Sequence, residues 1–442
     1  MPGASEPDFV FTQQQRIATL AKQSPDMGFF SLNHHLTPYW LDAAYARTRR
    51  DGAVGVDGQT WADYGNDLDA RLASLLERAK SGTYHAPPVR RVHISKGPGS
   101  SEMRPLGIPT LEDKVLQRAV LMILEPLYEQ DFLDCSYGFR SGRSAHQALA
   151  ALRQGLMQMN GGWILDVDIR KFFDTLDRQV LREFLQNRIR DGVLLRLIGK
   201  WLKAGVLEDG CLTHPAAGTP QGGVISPLLA NIYLHYVLDL WFEQEVKPRL
   251  QGRAFLIRYA DDFVMVFQHE SDARRVLDVL PKRFGKYGLT LHPEKTRLVA
   301  FARPPQRPPQ GDSEADPPGT FDLLGFTHYW CRSRNGNWVV KRKTSKSRLR
   351  RAIRTIAVWC RDHRHRPVPE QHRTLCQKLR GHYAYYGITG NSSALSAVRH
   401  YVERIWCKWL SRRKRGHPMP WEIFRRFLAR YPLPVEAIIH AV

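Results

Sequence analysis

The stretch that decides the predicted fold reads Phe255-Leu256-Ile257-Arg258-Tyr259-Ala260-Asp261-Asp262-Phe263-Val264-Met265-Val266-Phe267. Two apolar runs meet around Tyr-Ala-Asp-Asp, a pattern typical of a β-hairpin with adjacent carboxylates at its tip. Paired Asp residues are also ordinary turn residues. By chance, however, this tetrapeptide occurs in a chain of this length on the order of once in a few hundred, at about 5% usage per residue. The flanking strands therefore favour a functional carboxylate pair.

A third carboxylate lies at the end of another predicted strand. Residues 163–168 alternate, with Asp166 and Asp168 on one face, which predicts a half-buried strand. If this strand neighbours the hairpin, Asp168 faces Asp261 and Asp262. Phosphoryl and nucleotidyl transfer use two divalent ions about 4 Å apart, held by carboxylates on rigid elements. These three residues are the set in the sequence that satisfies this requirement.

Positive charge is concentrated at the C-terminal end of the sequence. The 442 residues hold 65 Lys and Arg against 43 Asp and Glu, a net charge of +22. From residue 341 onward there are 24 basic and 5 acidic residues, so this region holds +19 of the total. Such a density is expected for a protein that binds a polyanion. The same region contains eleven aromatic residues, which either pack a core or stack on bases.

Composition excludes several classes of protein. An apolar share of 43% excludes intrinsic disorder and fibrous repeats as overall descriptions, and the length predicts two or three packed units. The six cysteines lie far apart, which indicates neither a disulfide scaffold nor a common zinc module and favours a reducing compartment. The first fifteen residues lack an apolar signal region, and no run of 18 apolar residues follows. We expect a soluble, cytoplasmic protein with no membrane partner.

Local patterns predict the remaining elements. Capping boxes begin at Thr60 and Ser144, a strand covers 89–94, a helix covers 111–125 and a short strand covers 321–326. Three further helices are predicted at 346–360, 372–386 and 394–413. The predicted organisation is an N-terminal extension (1–80), a catalytic region (81–302), a Pro-rich loop (303–320), a closing strand region (321–340) and a basic helical domain (341–442).

Seven ordered blocks carry a resemblance to a known family. They are Arg104-Pro105-Leu106-Gly107-Ile108-Pro109, Cys135-Ser136-Tyr137-Gly138-Phe139-Arg140, Asp166-Val167-Asp168-Ile169-Arg170-Lys171-Phe172-Phe173-Asp174, Gly218-Thr219-Pro220-Gln221-Gly222-Gly223 continuing to Asn231, Tyr259 to Asp262, Lys295-Thr296, and Leu323-Leu324-Gly325-Phe326. From about residue 45 to the end, the chain resembles group II intron-encoded reverse transcriptases and maturases of the bacterial type that lack an HNH endonuclease domain.

The resemblance implies a fold and a function. The fold is α+β: a right-hand polymerase with fingers and a palm built on an antiparallel sheet, followed by a helical thumb and maturase domain. The implied function is an RNA-directed DNA polymerase that extends a DNA primer on an RNA template and binds its intron RNA to assist splicing and mobility. The alternatives are a maturase that only binds RNA, or a domesticated reverse transcriptase in repair or defence. The implied partners are RNA template and intron RNA, DNA primer or target, and dNTPs.

The resemblance also assigns site residues. Two Mg²⁺ ions would be held by Asp168, Asp261 and Asp262 with the backbone carbonyl of Ile169, and oxygen-only ligands suit a hard ion. The residues implied for nucleotide binding are Lys96, Arg104, Phe173, Pro220, Gln221 and Lys295. Those implied for nucleic-acid binding are Arg140, Arg143, Arg380, Arg412, Arg413, Lys414 and Arg415.

Some of these assignments have simpler alternatives. Phe173, implied to exclude a ribose 2′-hydroxyl, has an alternative explanation as a core residue beside Phe172. Lys96 and Lys295 are equally explained as surface lysines. The segment 220–223 is explained as an ordinary turn, although its glycines also permit close backbone approach. Two departures from the family pattern are a long fingertip over 95–104 and Lys171 at a position where a small residue is usual.

Overall fold

A computed structural model describes residues 6–95, 103–214, 218, 222–306, 319–413 and 418–441. The predictions at Lys96, Pro220, Gln221, Lys414 and Arg415 lie outside the described residues. The described chain forms two compact units. The first contains the chain up to Ile94, Met103–Ala148 and Leu165–Leu298, and the second contains Leu149–Ile164 and the chain from Val299 onward.

The helices are distributed along the whole described chain. They are α1 (Glu6–Gln23), α2 (Pro38–Ala46), α3 (Trp61–Gly65), α4 (Leu68–Ser81), α5 (Leu111–Tyr128), α6 (Ala145–Met159), α7 (Phe172–Thr175), α8 (Arg178–Arg188), α9 (Gly192–Leu202), α10 (Ser226–Leu234), α11 (Glu270–Gly285), α12 (Lys346–Asp362), α13 (Val368–Tyr386), α14 (Ser392–Ser411) and α15 (Trp421–Arg430). Past its end, α10 continues into two π-helical segments, His235–Asp239 and Trp241–Val246.

The strands form three sheets. They are β1 (Val89–Ser95), β2 (Met103–Ile108), β3 (Trp163–Val167), β4 (Val206–Glu208), β5 (Cys211–Thr213), β6 (Ala254–Tyr259), β7 (Asp262–Phe267), β8 (Arg297–Ala300), β9 (Phe321–Leu323), β10 (Phe326–Arg332) and β11 (Trp338–Thr344). The sheet orders are β2-β1-β4-β5, β6-β7-β3-β8 and β11-β10-β9. Mixed helix and sheet agrees with the predicted α+β class.

Most of the elements predicted from sequence patterns are present in the structure. The predicted hairpin is confirmed: β6 and β7 pair antiparallel from Ala254 opposite Phe267 to Tyr259 opposite Asp262. The capping box at Thr60 is confirmed, since its hydroxyl accepts from the Asp63 N–H at 3.2 Å and the Asp63 carboxylate accepts from the Thr60 N–H at 3.0 Å. The hydroxyl of Ser144 accepts from the Gln147 N–H at 3.2 Å, so this helix start is confirmed too.

The strand predicted over 321–326 is wrong in its continuity. Leu324 and Gly325 have left-handed φ angles of 51° and 81°, so the chain turns there. Phe326 pairs back antiparallel with Leu323, which makes these residues a tight hairpin between β9 and β10. The apolar run alone does not reveal the turn, because only one of its two left-handed residues is a glycine.

The first unit has its core around α5. This helix buries most of its apolar side chains, among them Leu116, Val120 and Ile123. The indole of Trp40 on α2 is fully buried and donates to the carbonyl of Ala119 at 2.8 Å. Apolar burial on this scale is the main source of stability for the unit.

The second unit has a helical core that absorbs several of the aromatic residues. Trp406 is fully buried and donates to Gln371 Oε1 at 3.0 Å, while Tyr383 is buried on α13. Tyr401 and Trp421 are exposed, at 46% and 37%. The three predicted helices are confirmed to within a few residues as α12, α13 and α14, whereas α15 and the strand β11 were not predicted. Within the described chain, no helix combines the length and apolarity that membrane crossing needs.

Candidate functional site

The hairpin tip presents two acidic residues in different settings. Tyr259 and Asp262 form the last pair of the β6–β7 ladder, so Ala260 and Asp261 make the turn. Ala260 has a left-handed φ of 57°, which is unusual for a residue with a side chain. Asp261 is partly buried, and Asp262 at the start of β7 is exposed.

Asp168 directly follows β3 and is held by a neighbouring loop. Its carbonyl accepts from the His292 N–H at 2.8 Å, and the same loop places the Lys295 ammonium 3.0 Å from Asp168 Oδ2. Both side chains are accessible, at 34% for Asp168 and 60% for Lys295. Lys295 therefore contacts a predicted metal ligand through a direct ion pair.

Electrostatics link these groups. Burial raises the pKa of Asp261, repulsion from Asp168 adds to that rise, and the positive charges of Arg104 and Arg258 oppose it. Charges influence one another in this way only at short range. Strands β3 and β7 are neighbours in one sheet, so the end of β3 that carries Asp168 adjoins the strand that begins at Asp262, and Lys295 contacts Asp168 directly.

The residues fit a hard cation in chemistry. Asp168 and Asp261 supply carboxylate oxygens, which suit Mg²⁺, and the Lys295 ammonium already places positive charge beside Asp168. Over the part of the chain that the structure describes, no three His, Cys, Asp or Glu side chains stand close enough together to hold a metal ion. The roles of Asp262 and of the Ile169 carbonyl as ligands stay predictions.

The two phenylalanines after Asp168 divide their roles. Phe172 is buried and its ring meets that of Tyr233 edge-on at 6.3 Å, so it fills the core position. Phe173 is only partly buried, with its ring centroid 5.3 Å from that of Phe172. The simpler explanation of Phe173 as a core residue is therefore weakened. Lys171 begins α7 with a left-handed φ of 48° and is exposed.

The glycine-rich segment after β5 approaches other backbone closely. A Cβ added to Gly218 would lie 2.6 Å from the carbonyl oxygen of Phe173, and one added to Gly222 would lie 2.6 Å from that of Gly107. Both glycines thus lie against protein backbone, while the predicted close approach of this segment to a nucleotide stays a prediction. Arg104 lies on β2 beside this region and is exposed.

The two arginines of the 135–146 region differ in what they contact. Arg140 is buried, donates to Glu129 at 2.7 Å and to the carbonyls of Leu133 and Ser136 at 2.6 and 2.8 Å. These contacts favour a structural role, so nucleic-acid contact by Arg140 stays a prediction that the geometry does not support. Arg143 pairs with the exposed Asp134 at 2.5 Å and is the more accessible of the two.

The C-terminal arginines also differ. Arg380 on α13 and Arg412 after α14 are exposed, and the Arg412 guanidinium lies 4.9 Å from the ring centroid of Trp409. The guanidinium of Arg413 donates to the carbonyls of Arg364 and Arg366, so its contacts hold the loop between α12 and α13. Arg380 and Arg412 are thus better placed than Arg413 to meet a phosphate.

One functional group was missed by sequence reasoning. Arg258 is fully buried on β6, within the stretch that decides the fold, and pairs with the fully buried Asp239. A charged residue between apolar neighbours of a buried strand is the signal that could have identified it. Its partner was not recognisable, because Asp239 lies 19 positions away in a π-helical segment.

Comparison with known proteins places the chain in a family. Residues 94–328 match the family model described as "Reverse transcriptase (RNA-dependent DNA polymerase)", which covers more than half of the chain. The matched span includes both carboxylate-bearing strands and the Gly218–Gly222 segment.

Individual relatives extend the match. "Protein YkfC" of Escherichia coli is 34% identical over 327 residues, which is 64% of this chain and 83% of the relative. "Group II intron-encoded protein LtrA" of Lactococcus lactis is 43% identical over 189 residues, 41% of this chain and 31% of the relative. "Nuclear intron maturase 3, mitochondrial" of Arabidopsis thaliana is 26% identical over 247 residues, covering 47% and 34%. The chain thus spans about a third of the length of the two relatives with intron-related names.

Proposed function

Since this chain belongs to the reverse transcriptase (RNA-dependent DNA polymerase) family, we propose that it adds dNTPs to the 3′-hydroxyl of a DNA primer annealed to an RNA template. The observation that carries the proposal is that β3 and β7 are neighbours in one sheet, with Asp168 directly after β3 and the Asp261-Asp262 pair at the start of β7. Two carboxylates held together on a rigid sheet suit the transfer of a nucleotidyl group. The sheet β6-β7-β3-β8 is then the palm of a right-hand polymerase, and β1 and β2 belong to its fingers.

In this proposal Asp168, Asp261 and Asp262 hold two Mg²⁺ ions. When bound, these ions activate the attacking hydroxyl and stabilise charge on the leaving pyrophosphate. Asp168 and Asp261 are fixed by β3 and by the hairpin, so they need no rearrangement of backbone to act. Lys295, which contacts Asp168, is proposed to move from Asp168 toward the leaving phosphates.

The incoming nucleotide is proposed to bind between β2 and α7. Arg104 presents a guanidinium, which grips two phosphate oxygens at once. Phe173 offers a partly buried ring beside Asp168, where it would close off the space for a ribose 2′-hydroxyl. Gly218 and Gly222 pack against the carbonyls of Phe173 and Gly107, where a Cβ would not fit, so these two glycines lie close to α7 and β2.

We also propose a second activity, the binding of a structured intron RNA by the basic second unit. The names of two relatives, an intron-encoded protein and an intron maturase, point to such a partner. The observation that favours it here is the exposure of Arg380 and Arg412 on a helical unit of high positive charge. Exposed arginines of this kind bind phosphates and release counterions.

The polymerase proposal is tested by primer extension. Purified protein is given a primed RNA template, dNTPs and Mg²⁺, alongside Asp261→Ala and a control, Asp278→Ala, which removes an exposed carboxylate on α11. We expect synthesis by the parent and by the control and none by Asp261→Ala, because a metal ligand is lost. RNA binding, measured by filter retention, should be unchanged in all three. Wild-type synthesis by Asp261→Ala would refute the assigned site, and a folded but inactive parent would refute the polymerase function.

A further inference from the structure

A buried network of polar side chains lies directly behind the hairpin tip that carries Asp261. The Arg258 guanidinium forms a bidentate ion pair with Asp239, with Nε 2.7 Å from Oδ1 and Nη2 2.5 Å from Oδ2. Its remaining nitrogen, Nη1, donates to Asn231 Oδ1 at 2.9 Å and to the carbonyl of Ala260 at 3.1 Å. One guanidinium therefore joins a helix-derived carboxylate to the backbone of the residue before Asp261.

Asn231 extends the network to a second loop. Its Nδ2 donates to the carbonyl of Gly138 at 2.7 Å. The same loop is hydrogen-bonded to β6, because the Tyr137 N–H donates to the Arg258 carbonyl at 2.9 Å. Gly138 in turn lies against the tip, where a Cβ added to it would be 2.3 Å from the Ala260 nitrogen. The tip is thus held by a side-chain network on one hand and by a close backbone contact on the other.

The feature that needs holding is the conformation of Ala260. Its φ of 57° is left-handed, which is unfavourable for a residue with a Cβ. Strained backbone of this kind persists where the surroundings over-determine it, and it clusters at active sites. Here the Arg258 donor fixes the Ala260 carbonyl, and Gly138 fixes the space around its nitrogen. The direction of the next side chain, Asp261, follows from that backbone.

The placement of Asp239 is also unusual. It lies in the π-helical segment His235–Asp239, which continues α10. π-Helical turns are rare and frequently occur at functional sites. A buried ion pair contributes little to stability compared with well-packed apolar side chains. Stability alone therefore gives no reason for a buried Arg–Asp pair at this place.

We propose that Arg258, Asp239 and Asn231 are positioning residues that fix the Ala260 backbone and so aim the Asp261 carboxylate into the active site. The proposal rests on the proposed polymerase function for its catalytic consequence. It also gives a role to the loop Cys135–Arg140, whose sequence matches the family without an evident chemical task. The network acts through Ala260 and does not itself meet the nucleotide.

Asn231→Ala is the first test, because it removes the link to Gly138 and leaves the Arg258–Asp239 pair in place. We expect kcat for primer extension to fall by about 10- to 100-fold, as for a catalytic group misplaced by about 1 Å. The KM for dNTP should stay within about twofold, because the change acts on the reacting carboxylate and not on nucleotide binding. The dissociation constant for Mn²⁺, measured by electron paramagnetic resonance without substrate, should rise. The control is Asn335→Ala, an exposed turn residue of the second unit.

A second variant separates positioning from folding. Asp239→Asn alone leaves a buried guanidinium short of a partner, so it is expected to lower the melting temperature. The double variant Arg258→Met/Asp239→Leu removes both charges and keeps apolar volume, which restores stability in other buried pairs. We expect the melting temperature of the double variant to return close to that of the parent. Its kcat and its Mn²⁺ affinity should remain below those of the parent, because the donor to the Ala260 carbonyl is absent.

The outcomes are distinguishable. A folded Asn231→Ala or double variant with wild-type kcat and wild-type Mn²⁺ affinity would overturn the positioning role. If the parent itself makes no DNA, the polymerase proposal fails, and Mn²⁺ affinity alone then decides whether the network aims the carboxylate. If the double variant does not fold, the comparison of Asn231→Ala with Asn335→Ala decides.

Discussion

The carboxyl group of Asp261 is subject to opposing influences. Burial and the nearby Asp168 charge raise its pKa, while Arg104 and Arg258 act in the other direction. A carboxylate in such a setting gains from any cation that approaches it closely, because the cation offsets both burial and repulsion. The geometry at the tip therefore matters more for Asp261 than for an exposed surface acid. That geometry depends on Ala260 and on its close neighbour, Gly138.

Gly138→Ala is expected to disturb the tip. The new Cβ would lie 2.3 Å from the Ala260 nitrogen, so backbone must move. We expect kcat for DNA synthesis to fall by about 10²-fold and the free energy of unfolding to fall by about 1–3 kcal/mol. Primer extension and urea denaturation measure the two effects. Gly285→Ala, at the end of α11, is the matched control, because a Cβ there meets nothing within 4 Å. An unchanged kcat in Gly138→Ala would contradict the close packing.

Single residues were predictable where the signal is local. Asp168, Asp261 and Asp262 were identified because each lies at the end of an alternating or apolar strand, and a period of two is visible in sequence. Arg258 stood in the same stretch, yet its role depends on Asp239 and Asn231, whose distance from it along the chain hides the contact. The bonds that fix Arg413 and Arg140 to backbone carbonyls are hidden for the same reason.

At the scale of elements, the hairpin β10–β11 contains a buried histidine whose cost to stability is not evident from the sequence. His328 on β10 is fully buried and stacks on Phe321, with ring centroids 4.7 Å apart. Both of its ring nitrogens lack a hydrogen-bond partner among the described residues. Burial, together with the cross-strand Arg342, lowers its pKa to about 3. The strand pair therefore holds a neutral histidine that would be charged in the unfolded chain at mildly acid pH.

This makes stability depend on pH in a defined direction. Because the folded pKa of His328 is about 3 and the ordinary value is 6.5, the unfolded state binds more protons between those limits. The free energy of unfolding should be constant in this respect above pH 6.5 and fall as the pH drops toward 3. We expect His328→Phe to reduce that fall and to be more stable than the parent at pH 5 by about 1–3 kcal/mol.

The measurement is urea denaturation at several pH values. His365→Phe, which changes an exposed histidine of the second unit, is the control and should keep the parent's pH dependence. Three other histidines, the buried His235 and the partly buried His35 and His382, also have lowered pKa values of about 4, so part of the fall remains in His328→Phe. A pH profile identical to that of the parent would show that His328 is not neutral in the fold.

Elements were predictable where periodicity is long and uninterrupted. The helices α12 to α14 were placed correctly because many residues share one period, and the hairpin β6–β7 because two apolar runs flank a turn signal. The turn at Leu324-Gly325 was not, because a leucine with a left-handed φ carries no sequence signal. The strand β11 was missed because a domain boundary was predicted at residue 341, where the basic region begins. That boundary falls inside the strand.

At the scale of the whole molecule, the positive charge is unevenly distributed along the chain. The carboxylates Asp168, Asp261 and Asp262 lie in the first unit. The region from residue 341 onward holds most of the net positive charge. The division into two units was not predictable in detail, since the second unit also recruits Leu149–Ile164 from far earlier in the chain. Such long-range packing depends on contacts that no local pattern describes.

RNA affinity should follow this charge. We expect the double variant Arg380→Ala/Arg412→Ala to bind single-stranded RNA more weakly, with the slope of log K against log salt reduced by about 0.7 per lost phosphate contact. Fluorescence anisotropy over a salt series measures the slope. The guanidinium of Arg413 donates to two backbone carbonyls. Arg413→Ala should therefore lower the melting temperature and change the salt slope less than the double variant does. An unchanged slope in the double variant would place the RNA-binding surface elsewhere.

The ion pair between Lys295 and Asp168 supplies a positive charge to this carboxylate from within the chain. If Asp168 holds a divalent ion as proposed, the Lys295 ammonium must leave it first, so ion binding exchanges one cation for another. The charge of Asp168 is thereby partly offset before any ion arrives, which weakens its repulsion with Asp261. Lys295 thus acts as an intramolecular counterion for Asp168, on a flexible side chain that can move away.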